Sequence, residues 1–235
     1  MAKDVIIALD FSTAQDTLRF LDGFQNQHPF VKIGMELYYA EGPAIVKELK
    51  QRGHKVFLDL KLHDIPNTVR KAMRVLAHLG VDITNVHAAG TVAMMRAALE
   101  GLSEGSTDGK RPLLIAVTQL TSTSAETLHS ELLIPQPMEQ VVAQYAQNAA
   151  TAGIDGVVCS PLEVPDVKKA CGSGFITVTP GVRFADSSAD DQSRIATPAR
   201  ARELGSDYIV VGRPITQAPN PVAAYLRCKK EFLEM

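Results

Sequence analysis

Three cysteines in 235 residues, none of them in a Cys-x-x-Cys pair, exclude a disulfide framework and a cysteine-based zinc site. Cys159, Cys171 and Cys228 read instead as reduced thiols of a cytosolic chain. No apolar run approaches the roughly 20 residues that a membrane-spanning helix needs. The apolar start of MAKDVIIALDF is too short for a secretory signal and is interrupted by Asp10, so no leader is expected. An excess of one charge is missing as well. Lys and Arg number 24 against 26 Asp and Glu, a net charge of −2, which argues against a general nucleic-acid binder and leaves room for a local phosphate site. No Gly-x-Gly-x-x-Gly follows the first apolar run, as a dinucleotide-binding fold would require. Linker-like and low-complexity stretches are absent too. Residues 1–235 are therefore expected to form one soluble, cytoplasmic domain with no membrane or nucleic-acid partner.

What the chain does have is alternation. Short β-branched runs at 5–10, 30–34, 55–60, 82–88, 113–120, 156–160, 175–180 and 208–212 read as strands. Amphipathic stretches separate them, at 13–26, 41–51, 67–79, 91–104, 138–151, 162–171, 197–204 and 220–234. Ser12 or Thr13 can cap the first helix, and Gly53, Gly80, Gly153 and Gly205 each stand just before the next strand. Eight strands alternating with eight helices predict a single-domain (β/α)8 TIM barrel, with a doubly wound open sheet as the alternative. A barrel demands that functional residues gather at the C-terminal ends of its strands. They do so here. Asp10 ends the first run, Lys32 lies in the second, Asp59 and Lys61 end the third and His87 the fourth. Thr118 to Ser122 follow the fifth, Arg183 lies beyond the seventh, and Gly212-Arg213 closes the eighth.

The third run, in VFLDLKLHDIPNT (56–68), is the most informative. Strand alternation projects Asp59 and Lys61 from one side, two residues apart. Asp64 follows beyond the expected strand end, and Pro66 opens the next helix. A salt-bridged strand end is the plain reading. Burying two charges on an otherwise apolar strand is costly, however, which favours a functional reason for keeping them. A lysine flanked by two carboxylates is held as an ammonium and is a ready proton donor. Lys32 extends this row into an alternating series, Lys32–Asp59–Lys61–Asp64. At the other end of the chain, VVGRPI sets an arginine beside a glycine after strand 8, where barrels commonly bind phosphate. His63 and His87 suggest a metal, but they lack a convincing third and fourth ligand, and Lys61 stands where the cation would sit. No metal is expected.

Asp-x-Lys-x-x-Asp at the end of a third strand resembles the orotidine 5′-monophosphate decarboxylase suprafamily, and LDLKLHDIPNTV resembles its pyrimidine-synthesis branch. Matching segments follow strands 1, 2, 3, 5, 7 and 8. The resemblance implies decarboxylation of orotidine 5′-monophosphate to UMP and CO2 without a cofactor, with Lys61 as proton donor to C6 and Asp59 and Asp64 as its charged neighbours. It assigns Asp10 and Lys32 to the ribose hydroxyls, Thr121 to the pyrimidine edge, and Gly212 and Arg213 to the phosphate. The long segment PGVRFADSSADDQSRIATP becomes a lid in which Gln192 bridges phosphate and base, with Arg183 also binding; Phe184 replaces the family's usual proline there. The resemblance further implies a homodimer in which Asp64, Ile65 and Thr68 reach the partner's site. Two rivals remain open: a metal-dependent sugar-phosphate decarboxylase or aldolase of the same suprafamily, and a non-enzymatic barrel that binds UMP.

Overall fold

A computed structural model describes residues 3–107, 109–186 and 196–234. Eight parallel strands close into a barrel in chain order: β1 (Asp4–Leu9), β2 (Phe30–Ile33), β3 (Val56–Leu62), β4 (Ile83–His87), β5 (Leu113–Val117), β6 (Gly156–Val158), β7 (Ile176–Thr179) and β8 (Tyr208–Val211). Closure is completed by β8 pairing onto β1, from Asp4↔Tyr208 to Ile7↔Val211, which removes the open-sheet alternative. Around it lie α1 (Ala14–Asp22), α2 (Met35–Glu41), α3 (Pro43–Gln51), α4 (Pro66–Ala77), α5 (Thr91–Gly105), α6 (Ala125–Ser130), α7 (Met138–Ala152), α8 (Val164–Cys171), α9 (Pro198–Glu203), α10 (Arg213–Thr216) and α11 (Pro221–Leu233).

The core has two parts, as period-2 strands inside a ring of helices require. Ile6, Phe30, Phe57, Ile83, Ile115 and Ile176 fill the barrel interior. Leu9, Val31, Leu58, Leu60, Val86 and Leu114 point the other way and pack against the helices.

Among the described residues, three helices exceed the eight expected. The stretch around residue 42 splits into α2 and α3, because Gly42 has φ +64° and Pro43 restarts the helix. In the hydroxyl-rich segment after β5, Ser124 caps α6 by accepting the Thr127 N–H at 3.1 Å. A single turn, α10, begins directly after Gly212. Strand 5 stops at Val117, three residues early, because its neighbour β6 ends at Val158 and offers little further ladder.

A repeated Gly-x-Asp at the entrances of β4, β6 and β8 ties the N-terminal end of the barrel together. Asp82 accepts the Val56 N–H at 2.8 Å and pairs with Lys50 at 2.6 Å. Asp155 accepts the Leu114 N–H at 2.7 Å and pairs with Arg111 at 2.6 Å. Asp207 accepts the Thr177 N–H at 2.8 Å and pairs with Lys168 at 2.6 Å. Each carboxylate accepts an N–H from the first or second residue of the preceding strand and pairs with a nearby cation at once. This end is thereby committed to stability, which leaves the opposite rim for chemistry.

Candidate active site

At the C-terminal end of β3 the inward positions turn from apolar to charged. Phe57, Asp59 and Lys61 line one cavity of about 280 Å³, while the intervening Leu58 and Leu60 belong to the outer core. Between Leu58 and Leu62 the β3–β4 register slips: Leu58 faces Thr84, yet Leu62 faces Val86. Four steps along β3 therefore match two along β4, and β3 bulges. Lys61 sits in this bulge with φ +52°, a backbone conformation that is sterically costly for a side-chain-bearing residue.

Asp59 is the hub of the charges. Its Oδ1 accepts hydrogen bonds from Lys61 Nζ and from Asn85 Nδ2, both at 2.7 Å. Its Oδ2 faces Lys32 Nζ at 3.4 Å, and Lys32 Nζ reaches Asp10 Oδ1 at 3.2 Å. Burial on its own would raise the Asp59 pKa. The Lys32 and Lys61 charges, with the Lys61 and Asn85 hydrogen bonds, outweigh that and lower it. The carboxylate is thus held ionised against a buried setting.

Asp64 does not complete the series within one chain. β3 ends at Leu62, the chain turns toward Pro66, and the Asp64 carboxylate accepts the Ile65 N–H at 2.6 Å while remaining exposed. Among the described residues Lys61 pairs with Asp59 and not with Asp64. Ile65 and Thr68 are exposed at the start of α4, and neither lines the cavity. The expected lysine between two carboxylates is therefore corrected, for a single chain, to a lysine beside one.

The other site candidates divide between two connected spaces. Thr121 joins Lys32, Asp59 and Lys61 in the first cavity, whose walls include Val117, Leu120, Val158 and Val210. Asp10, Arg183, Gly212 and Arg213 line a second, of about 430 Å³. Lys32, Pro180 and Val210 border both, so the two form one trough, apolar at one end and cationic at the other. Arg183 is buried, donates to the Val182 carbonyl at 2.9 Å, and is held by the Val182↔Ala196 bridge. Phe184 is buried beneath the Arg227 guanidinium, 4.2 Å from its ring centre, and Arg227 pairs with Asp186 at 3.0 Å. The residue that replaces the expected proline is thus an anchor onto α11. Gln192 lies outside the described residues.

The His63 and His87 rings lie 5.8 Å apart. Burial, followed by the charges of His63 and Lys61, lowers the His87 pKa and favours a neutral ring. Among the described residues no three His, Cys, Asp or Glu side chains gather as a metal site. The sequence pattern did not single out Asn85, Cys159 and Gln217 for the site, yet all three lie in or beside the trough. For Asn85 a signal existed: an amide in the middle of a short strand, ITNVH, flanked by Thr84 and Val86, where a buried polar group needs partners.

The model of the orotidine 5′-phosphate decarboxylase / HUMPS family matches residues 3–228. The chain belongs to this family. It is 58% identical over 233 residues to the protein named orotidine 5′-phosphate decarboxylase in Bacillus cereus (strain Q1), covering 99% of this chain and 98% of that one. A crystal structure of orotidine 5′-phosphate decarboxylase from Lactobacillus acidophilus superimposes with a TM-score of 0.89 at 45% identity, covering 98% and 99% of the two chains. An uncharacterised conserved protein from Geobacillus kaustophilus superimposes with a TM-score of 0.88 at 52% identity, covering 97% and 99%. The family therefore spans the whole barrel, the charged row and the trough alike. No helix among the described residues is long and apolar enough to cross a membrane.

Proposed function

We propose that this chain decarboxylates orotidine 5′-monophosphate to UMP and CO2, the last step of de novo UMP synthesis, as a carboxy-lyase without cofactor. Family membership supports the reading. The observation that carries it is the joining of a cation-lined space to an apolar cavity holding an ammonium and a buried carboxylate. The first suits a 5′-phosphate and the second a flat pyrimidine. Lys32, where the two spaces meet, and Asp10, paired with it in the second, supply a donor and an acceptor for ribose hydroxyls.

The chemistry follows from the charges. Breaking the bond from C6 to the carboxylate leaves an electron pair on C6 with no neighbouring sink. The Lys61 ammonium stabilises that charge as it forms and then delivers a proton to C6. CO2 departs, and solvent restores the lysine proton. Asp59 positions Lys61, and Asp64 of a second copy supplies the other carboxylate. Thr121 meets the base, Arg183 and Gln192 join the binding set, and Gly212 and Arg213 hold the phosphate. The working unit is a homodimer with shared sites, in the cytoplasm. Remote phosphate contacts supply binding energy that is used at C6.

The test is an absorbance assay on orotidine 5′-monophosphate with and without a chelator. Turnover is expected in both. Turnover lost on chelation would favour the sugar-phosphate reading, and UMP binding without turnover would favour the non-enzymatic one.

The phosphate grip has its own measurement. Arg213→Ala is expected to lower kcat/KM on the nucleotide by roughly 10²-fold, with little effect on phosphate-free orotidine. Equal losses on both substrates would show that Arg213 acts through structure.

A further inference from the structure

The bulge in β3 raises a question of accounting. Where β3 departs from the β4 ladder, the Lys61 N–H loses the partner a regular strand would provide, and a donor shielded from water without a partner is destabilising. It is not left without one. The Asn85 side chain, fully buried in β4 between Thr84 and Val86, accepts the Lys61 N–H at Oδ1 with a separation of 2.8 Å. Its Nδ2 donates to Asp59 Oδ1 at 2.7 Å. The direction of the amide is set by its partners: a backbone N–H can only donate and a carboxylate can only accept.

One side chain therefore grips the two residues of the charged pair by different handles, the backbone of Lys61 and the carboxylate of Asp59. We infer that Asn85 is a positioning residue for the decarboxylation proposed above, holding the bulge so that the Lys61 ammonium and the Asp59 carboxylate keep their places at the reacting carbon. Asn85 does not line either cavity of the trough. The strained φ of +52° at Lys61 explains why a clamp is needed. A lysine in this conformation relaxes into a regular strand unless its N–H is held elsewhere, and relaxation moves its side chain off the site.

The inference rests on the decarboxylase reading, so wild-type turnover of orotidine 5′-monophosphate is measured first; its absence overturns that reading and this one with it. Given turnover, Asn85→Leu, of similar size but without polar atoms, is compared by kcat and by UMP affinity. A misplaced ammonium is expected to lower kcat by about a hundredfold. UMP affinity, governed largely by phosphate, ribose and base contacts, is expected to stay within roughly threefold. An Asn85→Leu kcat within threefold of wild type, or equal losses in kcat and UMP affinity, would overturn the inference.

Asn85→Asp supplies the rescue and decides the matter alone if Asn85→Leu does not fold. The new carboxyl keeps an acceptor for the Lys61 N–H. Beside Asp59 it donates only when protonated, since two adjacent carboxylates share a proton. Its activity relative to wild type is expected to rise as pH falls. A ratio independent of pH would overturn the clamp.

Discussion

Lys61→Ala is expected to lower decarboxylation by roughly 10⁵-fold, the combined scale of a lost general acid and a lost electrostatic stabiliser. The protein should still fold and still bind UMP. Asp59, buried beside the deleted ammonium, keeps its hydrogen bond from Asn85 at 2.7 Å and its ion pair with Lys32 at 3.4 Å. Lys32 and Arg213 in the cationic part of the trough are untouched. Lys61→Arg separates charge from proton: a guanidinium retains the positive charge but does not give up its proton in a protein. It too should be nearly inactive, since proton delivery to C6 fails. Substantial turnover by Lys61→Ala, measured by loss of orotidine 5′-monophosphate absorbance, would remove Lys61 as the donor.

Mixing two inactive variants should restore activity. Asp64 is exposed, lies past the end of β3 and makes no ion pair with Lys61 of its own chain. Exposed apolar side chains stand on segments that follow strands at the same end of the barrel: Met35 after β2, Ile65 after β3 and Leu120 after β5. A second copy covering that rim would bury them and bring its own Asp64 toward Lys61. Lys61→Ala and Asp64→Ala homodimers then each lack an intact site. Unfolding and refolding them together at equal concentration gives about half heterodimers, each with one complete site and one lacking both residues. Activity should return to about a quarter of wild type per chain. A refolded mixture as inactive as its parents, with dimers verified by sizing, would show that Lys61 and Asp64 do not act across the interface.

The barrel was legible in one dimension because its signals are local. Period-2 apolar runs, helical periods between them and glycines before strands 3, 4, 6 and 8 reflect the backbone and its immediate neighbours. The inward sharing of Asp59 and Lys61 followed from alternation as well, as did the gathering of charge at one rim. Some helix boundaries were not legible. Gly42 breaks α2 from α3 through its φ of +64°, and the Thr118–Ser124 segment carried hydroxyls that suit a cap or a substrate equally well. The brevity of β6 ended β5 early, and a strand cannot announce where its neighbour stops.

The charged row marks the limit most clearly. Residue order offered Lys32, Asp59, Lys61 and Asp64 as four members of an alternating series. In space the series within one chain runs Asp10–Lys32–Asp59–Lys61, because Lys32 on β2 bridges Asp10 after β1 to Asp59 on β3. Asp64, three residues beyond Lys61, turns away to cap Ile65. Asn85, 24 residues beyond Lys61, becomes the immediate partner of both Asp59 and Lys61. Residue types and spacing establish which charges and which faces exist. The register between strands that are distant in sequence selects which of those charges meet, since a slip of the ladder at Leu58–Leu62 redirects the backbone donor that Asn85 accepts.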